Sequence, residues 1–133
     1  MNAEIFKSDR YFTVFDYIIS HGQLLLRSSK NEENNINNNI DIIFFDARYI
    51  QMFVNLYGIT IKFMNKKEVI NYKSVNKYLS YETNNLFEVE SNGEKYYIAA
   101  SFVGIYENDL EFNETSLGVL KYKGREKMIA GSH

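Results

Sequence analysis

The stretch ISHGQLLLRSS, residues 19–29, carries the one histidine away from the chain end, His21. Ser20 is its neighbour, and Asp16, Asp41 and Asp46 lie near in sequence. These types could form a Ser-His-Asp site, ligate a metal, or make the turn of a hairpin. A triad needs its serine within hydrogen-bond reach of the imidazole, with an acid orienting the far nitrogen. Adjacent residues of an extended chain point to opposite sides, so Ser20 is badly placed for His21. No G-x-S-x-G elbow supplies another serine. With no cysteine, a zinc site would need carboxylate or water for its other ligands, an unusual set. The turn reading fits best.

The carboxylates come next. Glu107, Asp109, Glu111 and Glu114 form an oxygen-rich cluster with Asn108 and Asn113. Calcium loops of the EF-hand type need a different spacing and a central glycine, so a solvated loop is expected here. Asp41 and Asp46 fall on opposite faces of a regular strand unless it is bulged. Nothing singles out a glycosidase pair. The seven glycines are scattered and form no phosphate-cradling motif. No catalytic, cofactor-binding or metal-binding residue is therefore assigned, and the chain is read as not an enzyme.

Composition sets the frame for these residues. A length of 133 residues fits one domain, 1–133, with 130–133 read as a tail or cloning scar that includes His133. Eleven Tyr and ten Phe favour pleated surfaces, and the lack of Pro leaves the turns to Gly, Asn, Asp and Ser. Tyr11, Tyr49, Tyr78, Tyr81 and Tyr97 could stack on bases, but a net charge of −2 offers no basic footprint, so no nucleic acid is expected. The short basic runs Lys66-Lys67 and Lys121 to Lys127 read as solvated faces. No apolar stretch reaches the roughly twenty residues of a membrane span, and the charged start MNAEIFKSDR is not a signal peptide. A cytoplasmic protein with no membrane partner is the expectation.

The elements follow from periodicity. With His21-Gly22 as a two-residue loop, Ser20 faces Gln23, Ile18 faces Leu25 and Asp16 faces Arg27. That register gathers Phe15, Tyr17, Ile19, Leu24 and Leu26 on one face. NEENNINNN, residues 31–39, is a polar loop expected to be mobile. Residues 40–54 read as a long strand bent or bulged near Asp46-Ala47, and ITIKFM as another strand. Lys66 to Ser80 shows a helical stripe, although a short strand at EVINYK also fits. Asn92-Gly93 between alternating runs predicts a hairpin that pairs Ser91 with Glu94, Glu90 with Lys95, Val89 with Tyr96 and Phe87 with Ile98. Phe87, Val89, Tyr96, Ile98 and Phe102 then share a face. LGVLKYKGREKMIA supplies one last strand and a fraying end. The sum is a mainly β (β or α+β) chain, a single antiparallel sheet system. A barrel or sandwich of six to seven strands with at most one or two helices is expected.

FDYIISHGQLLLRSS leading to NIDIIFFDARYIQM, and later FEVESNGEKYYIAASFV, resemble a group of small uncharacterised bacterial proteins. The resemblance implies an immunity-type protein, and no catalytic residue comes with it. Two functions follow. One is a non-enzymatic protein-interaction module, an immunity-type inhibitor whose acidic residues meet a basic toxin domain. Its interaction residues would be Tyr106 as an anchor with Glu107, Asp109, Glu111 and Glu114 around it. The other is a small-ligand-binding β-barrel or a small carboxylate-dependent enzyme. A deep aromatic-lined cavity favours the second, and a filled core with an exposed patch the first.

Overall fold

The structure, a computed structural model, describes residues 3–65, 85–118 and 123–132. The helix expected at Lys66 to Ser80 lies outside the described residues, as do Tyr78, Tyr81 and His133. Nine strands are described: β1 (Ala3–Ile18), β2 (Gln23–Ser28), β3 (Asn39–Phe45), β4 (Tyr49–Gln51), β5 (Asn55–Phe63), β6 (Asn85–Ser91), β7 (Glu94–Ala100), β8 (Phe102–Asn108) and β9 (Lys127–Gly131). All pair antiparallel in one open sheet, in the order β4-β7-β6-β5-β1-β2-β3-β8-β9. The only helix among the described residues is two single 3-10 turns, Ile19–His21 and Glu32–Asn34.

Nine strands replace the expected six to seven because two long strands are broken by bends. Asp46, in the left-handed region at φ 55°, separates β3 from β4, and Ser101 separates β7 from β8. The bends lie side by side: the Arg48 amide donates to the Ala99 carbonyl (2.8 Å) and the Ser101 amide to that of Phe45 (2.9 Å). β3 and β4 thus share a short connection while standing six places apart in the sheet order. The sheet must coil to allow this. Its inner face shows the result, since Phe44 of β3 meets Phe87 of β6 edge-on at 5.8 Å across three intervening strands.

That inner face is the core. Phe12, Leu26, Ile42, Phe44, Ile61, Phe87, Val89, Ile98, Val103 and Ile105 are all fully buried in one cluster. Each such side chain contributes roughly 1.5–3 kcal/mol. A bend shifts alternation by one, so Ile98 and Ala100 point inward before Ser101, and Val103 and Ile105 after it. Phe102 is thereby turned outward, against the expected face, and stacks on Phe45 with ring centres 4.4 Å apart.

The Asn92-Gly93 hairpin has the expected register in all four pairs. Asn92 and Gly93 take φ 53° and 81°, the positive values of a type I′ turn. The first hairpin differs. Its loop is four residues, the 3-10 turn closed by Gly22 at φ 59°, and Ile18 faces Gln23. A bulge at Val14/Asp16 then sets Asp16 opposite Leu25 and Thr13 opposite Arg27. Leu24 and Leu26 enter the core, while Tyr17 and Ile19 stay exposed and Phe15 packs on the outer face. The asparagine loop is also more built than expected. Asn31 bridges Ile36, its side chain caps the Glu33 amide (3.1 Å), and Asn35 turns at φ 58°. The chain end is tied down too, with the Ser132 amide on the Val103 carbonyl and the Ser132 hydroxyl accepting from the Val103 amide.

Candidate binding groove

On the outer face of the coiled sheet, β2 and β3 place Arg27 directly opposite Asp41. The guanidinium donates from Nε (2.7 Å) and Nη2 (2.9 Å) to the two carboxylate oxygens. Asp41 also accepts from Asn108 Nδ2 (2.9 Å) and the Ser116 hydroxyl (2.6 Å). Arg27 Nη1 donates to the Glu114 carbonyl (2.7 Å), and the guanidinium lies 4.1 Å from the centre of the Phe15 ring. Arg27 is 1% exposed and Asp41 0%. These bonds fasten residues 108–116 over the outer cluster of Leu25, Ile43, Tyr106 and Leu117. Ser116 is only 1% exposed, and its partner among the described residues is a carboxylate rather than an imidazole. The network is a clamp.

The clamp also shapes a groove. Arg10, Tyr11 and Thr13 of β1 form one wall, Ser28 to Asn31 another, and Phe112 at the tip of the clamped segment overhangs it. The space is about 370 Å³, near the small end of the range of roughly 300–1,000 Å³ typical for ligand sites. Tyr11 and Tyr57 pair across β1 and β5 with ring centres 4.8 Å apart, and the Tyr11 hydroxyl donates to Asn55 Oδ1 (2.9 Å). Phe112 is 81% exposed and meets Phe15 edge-on at 6.3 Å; Tyr57 is 70% exposed. Three exposed aromatic rings therefore lie in or beside the groove.

Arg10 lies in this wall as a rigid cation. Nε and Nη2 donate to the Ser28 hydroxyl and carbonyl, and Nη1 and Nη2 to the Asn38 side-chain and backbone oxygens, at 2.8–3.0 Å. All four acceptors are neutral. Burial lowers its pKa from the ordinary value, with the more distant Glu107 charge opposing. Lys30 donates to the Asp109 carbonyl (2.8 Å) and lies 3.6 Å from Glu111. No Asp or Glu side chain lines the groove, against three cations.

The acidic residues chosen from sequence are placed differently. Tyr106 is 7% exposed, its ring packed over Gly104, so it is not a surface anchor. Burial raises its pKa, and Arg125 opposes that rise. Glu107 pairs with Lys127 (2.9 Å), Glu111 with Lys30, and Glu114 with Lys123. The Lys123 hydrogen bond holds Glu114 below the ordinary carboxylate range. Asp109 contributes its carbonyl to Lys30. The stretch is largely neutralised by lysines, so it forms no unopposed acidic rim. His21 sits exposed in its turn, near Asp46 and Arg48 in an open depression. Asp46 accepts from the Ser101 hydroxyl (2.9 Å), apart from buried Asp41. Among the described residues no group of three His, Asp or Glu could hold a metal, and no helix is long and apolar enough to cross a membrane. Comparison with family models, curated proteins and solved structures finds no match.

Proposed function

We propose that the chain is a non-enzymatic protein-interaction module whose contact surface is the aromatic groove between β1, the asparagine loop and Phe112. The observation that carries this reading is the filled interior. Phe12, Ile42, Phe44, Ile61, Phe87 and Ile98 have no accessible surface at all, so no water-sized void touches them. A ligand-binding barrel needs an enclosed apolar space, and these inward side chains leave none beside them. What the molecule offers instead is large exposed aromatic area on a rigid frame. Tyrosines and similar rings dominate the energy of protein contacts because they bury much surface at little entropy cost. The immunity-type reading belongs to this same class, with a toxin domain as the partner.

The test is a pull-down with the products of neighbouring genes, comparing the parent with a Tyr57→Ser/Phe112→Ser variant. Both side chains are largely exposed, so the variant should keep its melting temperature. Loss of a captured partner from the variant supports the reading. A partner retained equally well puts the interface elsewhere. Failure to bind any neighbour product, together with turnover of a small substrate, would replace the module with an enzyme.

A further inference from the structure

We infer that the groove recognises an acidic partner segment, seating a single Asp or Glu carboxylate at Arg10 with an adjacent apolar residue between Tyr11 and Phe112. This rests on the interaction-module reading and names the chemistry of its partner.

The argument begins with charge. Arg10 is bonded only to neutral oxygens of Ser28 and Asn38. A guanidinium has five N–H donors, and these bonds use four, which leaves one on Nη1. Partial burial weakens its hydration, and its nearest structural partners do not return a negative charge. A carboxylate entering the groove would supply one. Such a pair forms without the usual ordering cost on the protein side, because Ser28 and Asn38 already hold the guanidinium in place.

Charge also sets the size of the ligand's anionic part. Arg27 is neutralised by Asp41, and Lys30 lies near Glu111. Among the described residues, that leaves Arg10 as the groove cation without a carboxylate within salt-bridge distance, the Glu107 charge acting on it only from farther off. One cation with no carboxylate in contact suits one carboxylate. A single-stranded nucleic acid needs a run of cations along its backbone, so the aromatic rings here favour a peptide over bases. Phe112 and Tyr11 then take the apolar neighbour of the acid, and Asn31 and Asn34 offer amides to the partner's backbone.

The experiment pans a random heptapeptide display library against the full chain, then measures affinities of synthetic versions of the enriched peptides. Enriched peptides should carry Asp or Glu next to an aromatic or aliphatic residue. Replacing the acid by its amide should weaken binding about tenfold or more, the loss typical of a charge-assisted hydrogen bond. Arg10→Gln should abolish that difference between acid and amide, and Arg10→Lys should restore part of it. Because Arg10 also braces Ser28 and Asn38, Phe112→Ala serves as the fold-neutral variant and should weaken acid and amide peptides equally. Amide chemical shifts of the bound state should move at Tyr11, Ser28 and Phe112. Peptides that bind in the groove with no preference for the acid would overturn the inference and leave the module standing. Absence of any peptide binding, or tighter binding of oligo(dT) than of every peptide, would overturn both.

Discussion

At the scale of single residues, the largest local commitment is the ion pair between Arg27 and Asp41. Two charges almost without solvent access are costly to bury, and they are tolerated because the carboxylate accepts four hydrogen bonds, one at Oδ1 and three at Oδ2. Removing one partner should therefore cost more than breaking any of the surface salt bridges. Asp41→Leu is expected to destabilise the fold by about 3–5 kcal/mol, measured by urea denaturation. Combining it with Arg27→Met should recover part of that loss, since no buried charge is then left alone. A double variant less stable than Asp41→Leu would show that the clamp over residues 108–116 matters more than charge burial. Asn39 raises the same question with neutral groups. It is buried, its side chain accepts from the Lys30 amide, and it donates to Asn108 and the Leu110 carbonyl. Asn39→Ala is expected to cost about 1–3 kcal/mol. Little of this was legible from sequence. Asp16 was the nearer acid in the expected hairpin register, and Asn39 read as the last residue of a polar run.

At the scale of elements, the sequence was readable wherever turn chemistry and alternation agreed without interruption. Asn92-Gly93 is such a place, and its register follows from two residues that accept positive φ. A Cβ added at Gly93 meets nothing within 4 Å, so the main penalty expected for Gly93→Val is backbone strain at its positive φ. It should lower stability by about 1 kcal/mol or more; an unchanged denaturation midpoint would contradict the turn. The expected bend near Asp46 is present for the same reason, since the strand pattern there is too long for one straight strand. Register failed where an extra residue entered. The 3-10 turn at Ile19–His21 and the bulge at Val14/Asp16 moved Arg27 away from Asp16, and the Ser101 bend reversed Phe102. Alternation has a period of two, so one unpaired residue sends all later side chains to the other face. Bulges leave no reliable mark in composition. The groove was illegible for a different reason: its walls come from residues 10–13, 28–34 and 112, which only the sheet order brings together.

At the scale of the whole molecule, the proposed interaction module rests on the contrast between a filled interior and an open aromatic surface. A coiled antiparallel sheet can enclose a ligand, but only if inward side chains are small enough to leave space. Here Phe12, Phe44 and Phe87 all point inward, with edge-on contact between Phe44 and Phe87. Phe63 adds a further edge contact to Phe87 at 5.8 Å. The interior therefore holds its own aromatic rings where a binding barrel would hold its guest. Emptying one of those positions should turn the one class into the other. Phe44→Ala is expected to lose about 3–5 kcal/mol of stability, because the coiled strands cannot collapse fully into the gap. The resulting apolar cavity should stay dry and take up benzene or xenon, detectable as a ligand-dependent rise in melting temperature. The parent, with no void beside these side chains, should show no such rise. A parent stabilised by small apolar ligands as strongly as Phe44→Ala would mean that the interior opens in solution, and the ligand-binding class would then displace the interaction module.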